Sequence, residues 1–390
     1  MICRTNRSRP PALLVLPAAL FFFLAPSTGW PGETRTPAPL VRIGEGTWLL
    51  FKGSLKVVTR RVGVEPDELS VSLEVAYLGL GRTGDSGSSA PPAAPEASGE
   101  APPPEPIQKV LLLRDGEDPD AEGVASRELV SLLAGPDLRM RPEIPIEDRA
   151  RISKVLFGYL PLGIFPPLTD ARARQWRAPA ALPVLLCQAR EMPCLHQVGP
   201  AGTAGDILYS VEAAAGQKTS FVQDRLEVPI ELETLRLAWV LTPAQGRLRS
   251  FESHLLGRVV DGRGPAAELA VDLELMRVEA QELAGQRWEK LRAEAGLART
   301  VERILFADLN PDLAQSKAAA FEKERAGSRL VPFVAGLGRQ GDDLRPIANE
   351  RRLYGKPAPD FTLRDPEGRE WTLSKAVPGK VTLLTFWGLG

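Results

Sequence analysis

Apolar and polar residues alternate with period two along several stretches of this chain. Val71, Leu73, Val75 and Tyr77 fall on one side of such a stretch, with Ser70, Ser72 and Glu74 on the other. Leu226, Val228, Ile230 and Leu232 alternate with Glu227, Pro229, Glu231 and Glu233, and Leu235, Leu237, Trp239 and Leu241 continue the theme. Leu269, Val271, Leu273 and Leu275 alternate with Asp272 and Glu274. This pattern predicts strands with one buried face. Trp48 to Val58 and Val110 to Leu113 add further strands, and Pro243 to Gly246 reads as a turn. Pro229, which lacks a backbone donor, assigns its strand to an edge. Because the connections look like hairpins, residues 40–280 read as one antiparallel β-rich domain.

The period then changes. Trp288, Leu291, Ala295, Ala298, Val301 and Leu305 recur three and four residues apart, with charged residues between them, which predicts an amphipathic helix. Asn310-Pro311 breaks it, and Leu313 to Arg325 resumes as a second helix. Together these make a helical connector over 285–345 that ends in a glycine-rich loop from Gly336 to Gly341. That loop fits the spacing G-x-G-x-x-G, as do Gly79, Gly81 and Gly84. Neither has the strand before it and the helix after it that a dinucleotide site requires, so both read as plain loops. Residues 82–106, rich in Gly and Ser and then in Ala, Pro and Glu, bury too little apolar surface to offset their ordering entropy and read as a disordered insertion.

Composition narrows the function. The 390 residues carry a formal net charge of −1, which gives no global field for nucleic acid. Arg4, Arg7 and Arg9 precede an uncharged run from Ala12 to Ala25, followed by small and turn-forming residues to Gly29. This is the layout of a secretory signal over 1–29, and the run is too short for a stable membrane span. The chain is therefore expected to be exported, to a periplasm, a cell envelope or the extracellular space. After cleavage Cys187 and Cys194 remain. In an oxidising compartment they read first as a structural disulfide or inert thiols. A redox couple is the alternative, although six intervening residues are not the spacing that tunes a reactive thiol. A zinc site with His196 is another, and it would need a fourth ligand when His254 is the one other histidine. Both histidines otherwise read as surface or structural residues, and Trp239 and Trp288 as core.

The strongest local signal lies in 353–390. Pro357 and Pro359 hold an extended entry, and Phe361 and Leu363 begin a short strand. Asp365 to Gly368 forms a turn, Trp371 and Leu373 the return strand, and Gly379-Lys380 launches the apolar run Val381 to Trp387. In order and spacing these pieces resemble the start of the redoxin and thioredoxin-like family of exported thiol–disulfide oxidoreductases and peroxiredoxins. The resemblance implies a Cys-X-X-Cys motif opening a helix at the position after Gly390. It therefore implies thiol, disulfide or peroxide partners, no cofactor or metal, and no catalytic residue within these 390 positions. On that reading the chain is truncated before its chemistry and inactive as given.

The expected fold class is thus α+β: a large antiparallel β-rich domain, a helical connector and a truncated thioredoxin-like start. The leading functional expectation is a redoxin-type oxidoreductase. Its rival is a non-enzymatic envelope or periplasmic protein whose β-rich domain, a sandwich or open barrel, binds a partner or an apolar ligand.

Overall fold

The computed structural model describes residues 40–82, 107–117, 125–135, 140–144, 163–166, 168, 170–181, 191–202, 205–223, 226–259, 267–353, 356, 360–364, 367–372 and 375. The strands are β1 (Thr47–Arg61), β2 (Asp67–Arg82), β3 (Gln108–Glu117), β4 (Ala125–Ala134), β5 (Met140–Pro142), β6 (Arg174–Ala181) and β7 (Glu191–Pro200). They continue as β8 (Ile207–Ala213), β9 (Lys218–Gln223), β10 (Leu226–Thr242), β11 (Arg247–Val259) and β12 (Ala267–Glu282), with a short 3-10 turn at Pro243–Gln245. These twelve strands form one antiparallel sheet in the order β5-β4-β3-β2-β1-β12-β11-β10-β8-β7-β6, with β9 paired to the start of β10. The antiparallel β-rich domain read from the alternation is therefore present.

The alternation in β10 changes phase midway: Ile230 and Leu232 are buried at even positions, Leu235, Leu237 and Trp239 at odd ones. The cause is a β-bulge. Leu232 pairs with Gly257 and Thr234 with Leu256, so Glu233 is the extra residue and the inward row shifts by one. Among the described residues Pro229 pairs with Ser220 of β9 on one side, and the described pairing with β11 begins at Ile230.

Three helices follow among the described residues: α1 (Gly285–Phe306), α2 (Pro311–Glu324) and α3 (Val331–Leu353). Every apolar position anticipated for α1 is buried. Asn310 does more than end α1. Its side chain accepts the Leu313 N–H at 3.2 Å and caps α2, with Pro311 in the first turn. The helices cover the outer face of β1–β4, packing on Trp48, Ala76, Leu78, Leu111, Leu113 and Leu129. Glu302 of α1, fully buried, accepts the Ser131 N–H at 2.9 Å and the Ser131 hydroxyl, which pins the helix to β4. Covered on both faces, β3 reads as the unbroken apolar run Val110 to Leu113, whereas β10–β12, covered on one, alternate.

Three expectations need correction. Gly336 to Gly341 is not a loop but the middle of α3. A Cβ at Gly336 would stand 2.5 Å from the Arg127 carbonyl, and one at Gly338 3.1 Å from Ala318 Cβ, so the glycines allow close helix packing. Gly79 and Gly81 lie inside β2, where a Cβ at Gly79 would overlap the Gly44 carbonyl at 1.9 Å. The thioredoxin-like start is also not what the described part of 353–390 shows. Thr362–Arg364 (β13) and Glu370–Thr372 (β14) make a separate two-stranded hairpin whose Leu363 and Trp371 are exposed. Residues 1–29, 83–106 and 376–390, with the signal, insertion and apolar-strand readings placed on them, lie outside the described residues.

Candidate binding site in the sheet interior

The inward side chains of the strands, from Val130 and Leu132 on β4 to Met192, Cys194 and Val198 on β7, feed one apolar cluster. That cluster exists because the sheet is rolled. Tyr77 on β2 and Trp239 on β10 are four strands apart in the order, about 19 Å on a flat sheet. Both nevertheless meet the same short piece of backbone, residues 163–166. Trp239 Nε1 donates to the Ile164 carbonyl at 2.6 Å. The Phe165 ring packs edge-on to Tyr77 at 4.8 Å and to Phe51 at 6.4 Å. Leu168 follows with its carbonyl accepting the Leu40 N–H, and Leu40, Val41 and Ile43 join the same cluster. A non-sheet segment thus lies within the concave face and ties its two halves together.

The half formed by β6–β11 carries a row of stacked rings that crosses one strand at a time. Trp176 stacks on His196 at 4.9 Å, Tyr209 on Trp239 at 5.1 Å, and Trp239 meets Phe251 at 5.5 Å. Such cross-strand aromatic neighbours stabilise by roughly 0.5–1.5 kcal/mol each beyond area burial. His196 bonds the Ala178 carbonyl through Nε2 at 3.2 Å and the Tyr209 hydroxyl through Nδ1 at 2.9 Å. A carbonyl only accepts, so Nε2 carries the proton and the Tyr209 O–H donates to Nδ1. Burial holds the His196 pKa below its ordinary value and raises that of Tyr209 to about 12.

The other half holds buried charge. Arg114 and Glu128 pair across β3 and β4 at 3.8 Å, both about 1% exposed. Neighbouring Tyr77 has its hydroxyl pKa driven well up by burial, with the Arg114 charge and a backbone hydrogen bond from Ile164 pulling against that rise. A buried pair of this kind is weak evidence for stability, because desolvation offsets most of the attraction.

The structure separates the residues singled out in sequence. Cys194 is a buried thiol donating to the Met192 carbonyl at 3.2 Å, and burial pushes its pKa up. Cys187 lies outside the described residues. Cys194 and His196 share a face of β7, but both ring nitrogens of His196 are engaged as above, and no group of three metal-type side chains occurs among the described residues. His254 is an exposed cross-strand partner of Asp272. Trp239 and Trp288 are core, as read. Arg114, Glu128 and residues 163–166 had no signal in the sequence; Tyr77 was legible as an inward strand residue, but its contact with Phe165 was not, because the partner lies far along the chain.

No family model matches the sequence, and no curated protein matches it. Among solved structures, one of lipovitellin, described under lipid–protein interactions, is similar at 10% identity and a TM-score of 0.39, covering 63% of this chain. The chain spans 26% of the length of that lipovitellin chain. An S-type phycobiliprotein lyase from Guillardia theta is similar at 9% identity and a TM-score of 0.21, covering 61% of this chain and 89% of its own. The redoxin resemblance is overturned by the fold: among the described residues the architecture is a rolled antiparallel sheet with three helices, the described part of 353–390 is a separate hairpin, and no family model matches. With it go the thiol, disulfide and peroxide partners. No described helix is long and apolar enough to cross a membrane.

Proposed function

We propose that this chain is a non-enzymatic binding protein that holds an apolar ligand in the interior of its rolled sheet. The observation that carries this reading is the position of Ile164 and Phe165. They occupy the concave face as a short non-sheet segment, held by one indole hydrogen bond, a tyrosine contact and ring packing. A segment of that kind can be exchanged for a ligand offering equivalent apolar area at roughly 25 cal/mol per Å2, whereas an inward strand residue cannot leave without breaking the ladder. The aromatic row of the β6–β11 half, its rings stacked face to face across the strands, lines the same face with apolar ring edges. Export, read from residues 1–29, belongs to the same proposal and makes the ligand one met outside the cytoplasm.

The test uses the full chain and the neutral fluorophore N-phenyl-1-naphthylamine. Saturable, single-site enhancement in the micromolar range or tighter, with quenching of Trp239, is the expected result. Only linear, non-saturating enhancement up to the solubility limit of the probe would refute the reading.

A further inference from the structure

One end of the interior is not apolar. On β12 the inward row Leu269, Val271, Leu273 and Leu275 ends in Arg277, whose guanidinium donates to the Leu248 carbonyl at 2.8 Å. Two β-bulges sit at this end. Phe51 pairs with Arg277 and Leu50 with Glu279, leaving Val278 extra. Leu241 pairs with Leu248 and Val240 with Ser250, leaving Arg249 extra. Bulges bend a strand and re-aim the side chains beside them, and they concentrate at barrel rims and next to sites. Arg249 donates to Asp206 at 2.7 Å, which also accepts the Thr242 hydroxyl at 2.8 Å. Arg247 reaches Glu282 at 3.3 Å, which also accepts the Thr47 hydroxyl.

Among the described residues, three guanidiniums thus share one rim with two carboxylates: Arg247 and Arg249 each bond a carboxylate, while Arg277 bonds a carbonyl and adds one positive charge to the described groups. Their mutual proximity is reflected in Arg277, whose pKa is lowered by burial and then by Arg247 and Arg249. Asp206 is held below the usual carboxylate range by Arg249 and Thr242. From Leu269 to Leu275 the inward row runs about 20 Å, longer than an extended dodecyl chain.

We infer that Arg277, Arg249 and Arg247 form an anion-binding rim that takes the carboxylate end of an amphiphilic ligand whose hydrocarbon chain lies along the inward row of β12. This rests on the apolar-ligand reading above. The chemistry is that of guanidinium forks, whose planar donors match a carboxylate with two parallel hydrogen bonds. A neutral head group of the same size leaves the added charge of Arg277 unmatched.

The experiment displaces N-phenyl-1-naphthylamine from the full chain with dodecanoate and, separately, with dodecanol, at about pH 8 and low salt. Dodecanoate is expected to bind roughly three- to tenfold more tightly, the low end for charge-assisted bonds because the guanidiniums are part-exposed. Raising the salt should shrink that ratio. Arg277→Gln should bring the ratio to about one, with thermal melts confirming that the variant is folded. Asp206→Asn, which removes a competing carboxylate, should raise the ratio above that of the parent chain. That increase is a result a purely structural ion network would not produce. Equal affinity for the two ligands in the parent chain, or an unchanged ratio in both variants, overturns the inference while leaving the interior site standing. Failure of the fluorophore to bind the parent chain overturns both.

Discussion

Removing the Phe165 ring separates an interior site from an ordinary core. Phe165 is buried, edge-on to Tyr77 at 4.8 Å and to Phe51 at 6.4 Å. Truncation to alanine forfeits about 3–5 kcal/mol in transfer and cavity terms, of which the two ring pairs account for roughly 0.5–1.5 kcal/mol each. Taking the roughly 250 described residues at about 2.1 cal/mol/K each, unfolding entropy is near 0.5 kcal/mol/K, so a 4 kcal/mol loss lowers Tm by about 8 °C. The informative quantity is ligand affinity. If the ring stands where a ligand lies, Phe165→Ala spares the ligand the work of displacing it, and N-phenyl-1-naphthylamine should bind at least about tenfold more tightly, a gain of roughly 1.4 kcal/mol. Differential scanning fluorimetry and fluorescence titration of the same preparation read both numbers. A lower Tm with unchanged or weakened binding would refute the exchange argument, for the ring would then be packing alone.

Other outcomes follow from the geometry. Gly336→Ala should destabilise by more than about 2 kcal/mol, because its Cβ would meet the Arg127 carbonyl at 2.5 Å; Gly296→Ala, in open space on α1, should stabilise by about 0.5–1 kcal/mol, and equal effects in denaturant melts would contradict the packing. His196, with its folded-state pKa below the unfolded value near 6.5, contributes stability that is present above about pH 6.5 and is lost as pH falls through the lower folded value. Thermal melts of His196→Gln should therefore show a shallower decline than the parent over that acidic window, and parallel curves would remove the assignment. At Cys194, where burial raises the thiol pKa, iodoacetamide labelling of the peptide carrying it should be at least about a hundredfold slower in the native chain at about pH 8 than in urea; comparable rates would show the thiol to be accessible.

How far the sequence reveals this fold depends on whether each signal is local. The period-two rows of β2, β10 and β12 and the helical period of α1 are local, and their buried faces follow directly from the pattern. Even the bulge at Glu233 leaves a trace, as the switch from even to odd apolar positions between Leu232 and Leu235. The glycines of α3 misled because glycine marks a turn when its neighbours are unknown, and here it marks a backbone approach to β4 and α2. The hairpin in 353–390 was locally legible too, with Leu363 paired to Trp371, but a hairpin specifies no fold beyond itself. The interior site was illegible for the opposite reason. Tyr77, Ile164 and Trp239 meet only once the sheet is rolled, and the carboxylates of the rim, Asp206 and Glu282, lie 76 positions apart and converge through strand register.

The strand order begins at β5 and ends at β6, with no ladder joining them among the described residues. In a closed cylinder, strand number and stagger together fix the bore; a seam leaves the girth adjustable. β5 is three residues long, and β6 is fastened through a ladder in which Pro179 faces Pro193, a rung with no amide hydrogen on either side. That rung has fewer amide donors than a ladder free of prolines, so if the interior is occupied as proposed, a thicker guest would part the wall at this margin before it disturbed the central ladders.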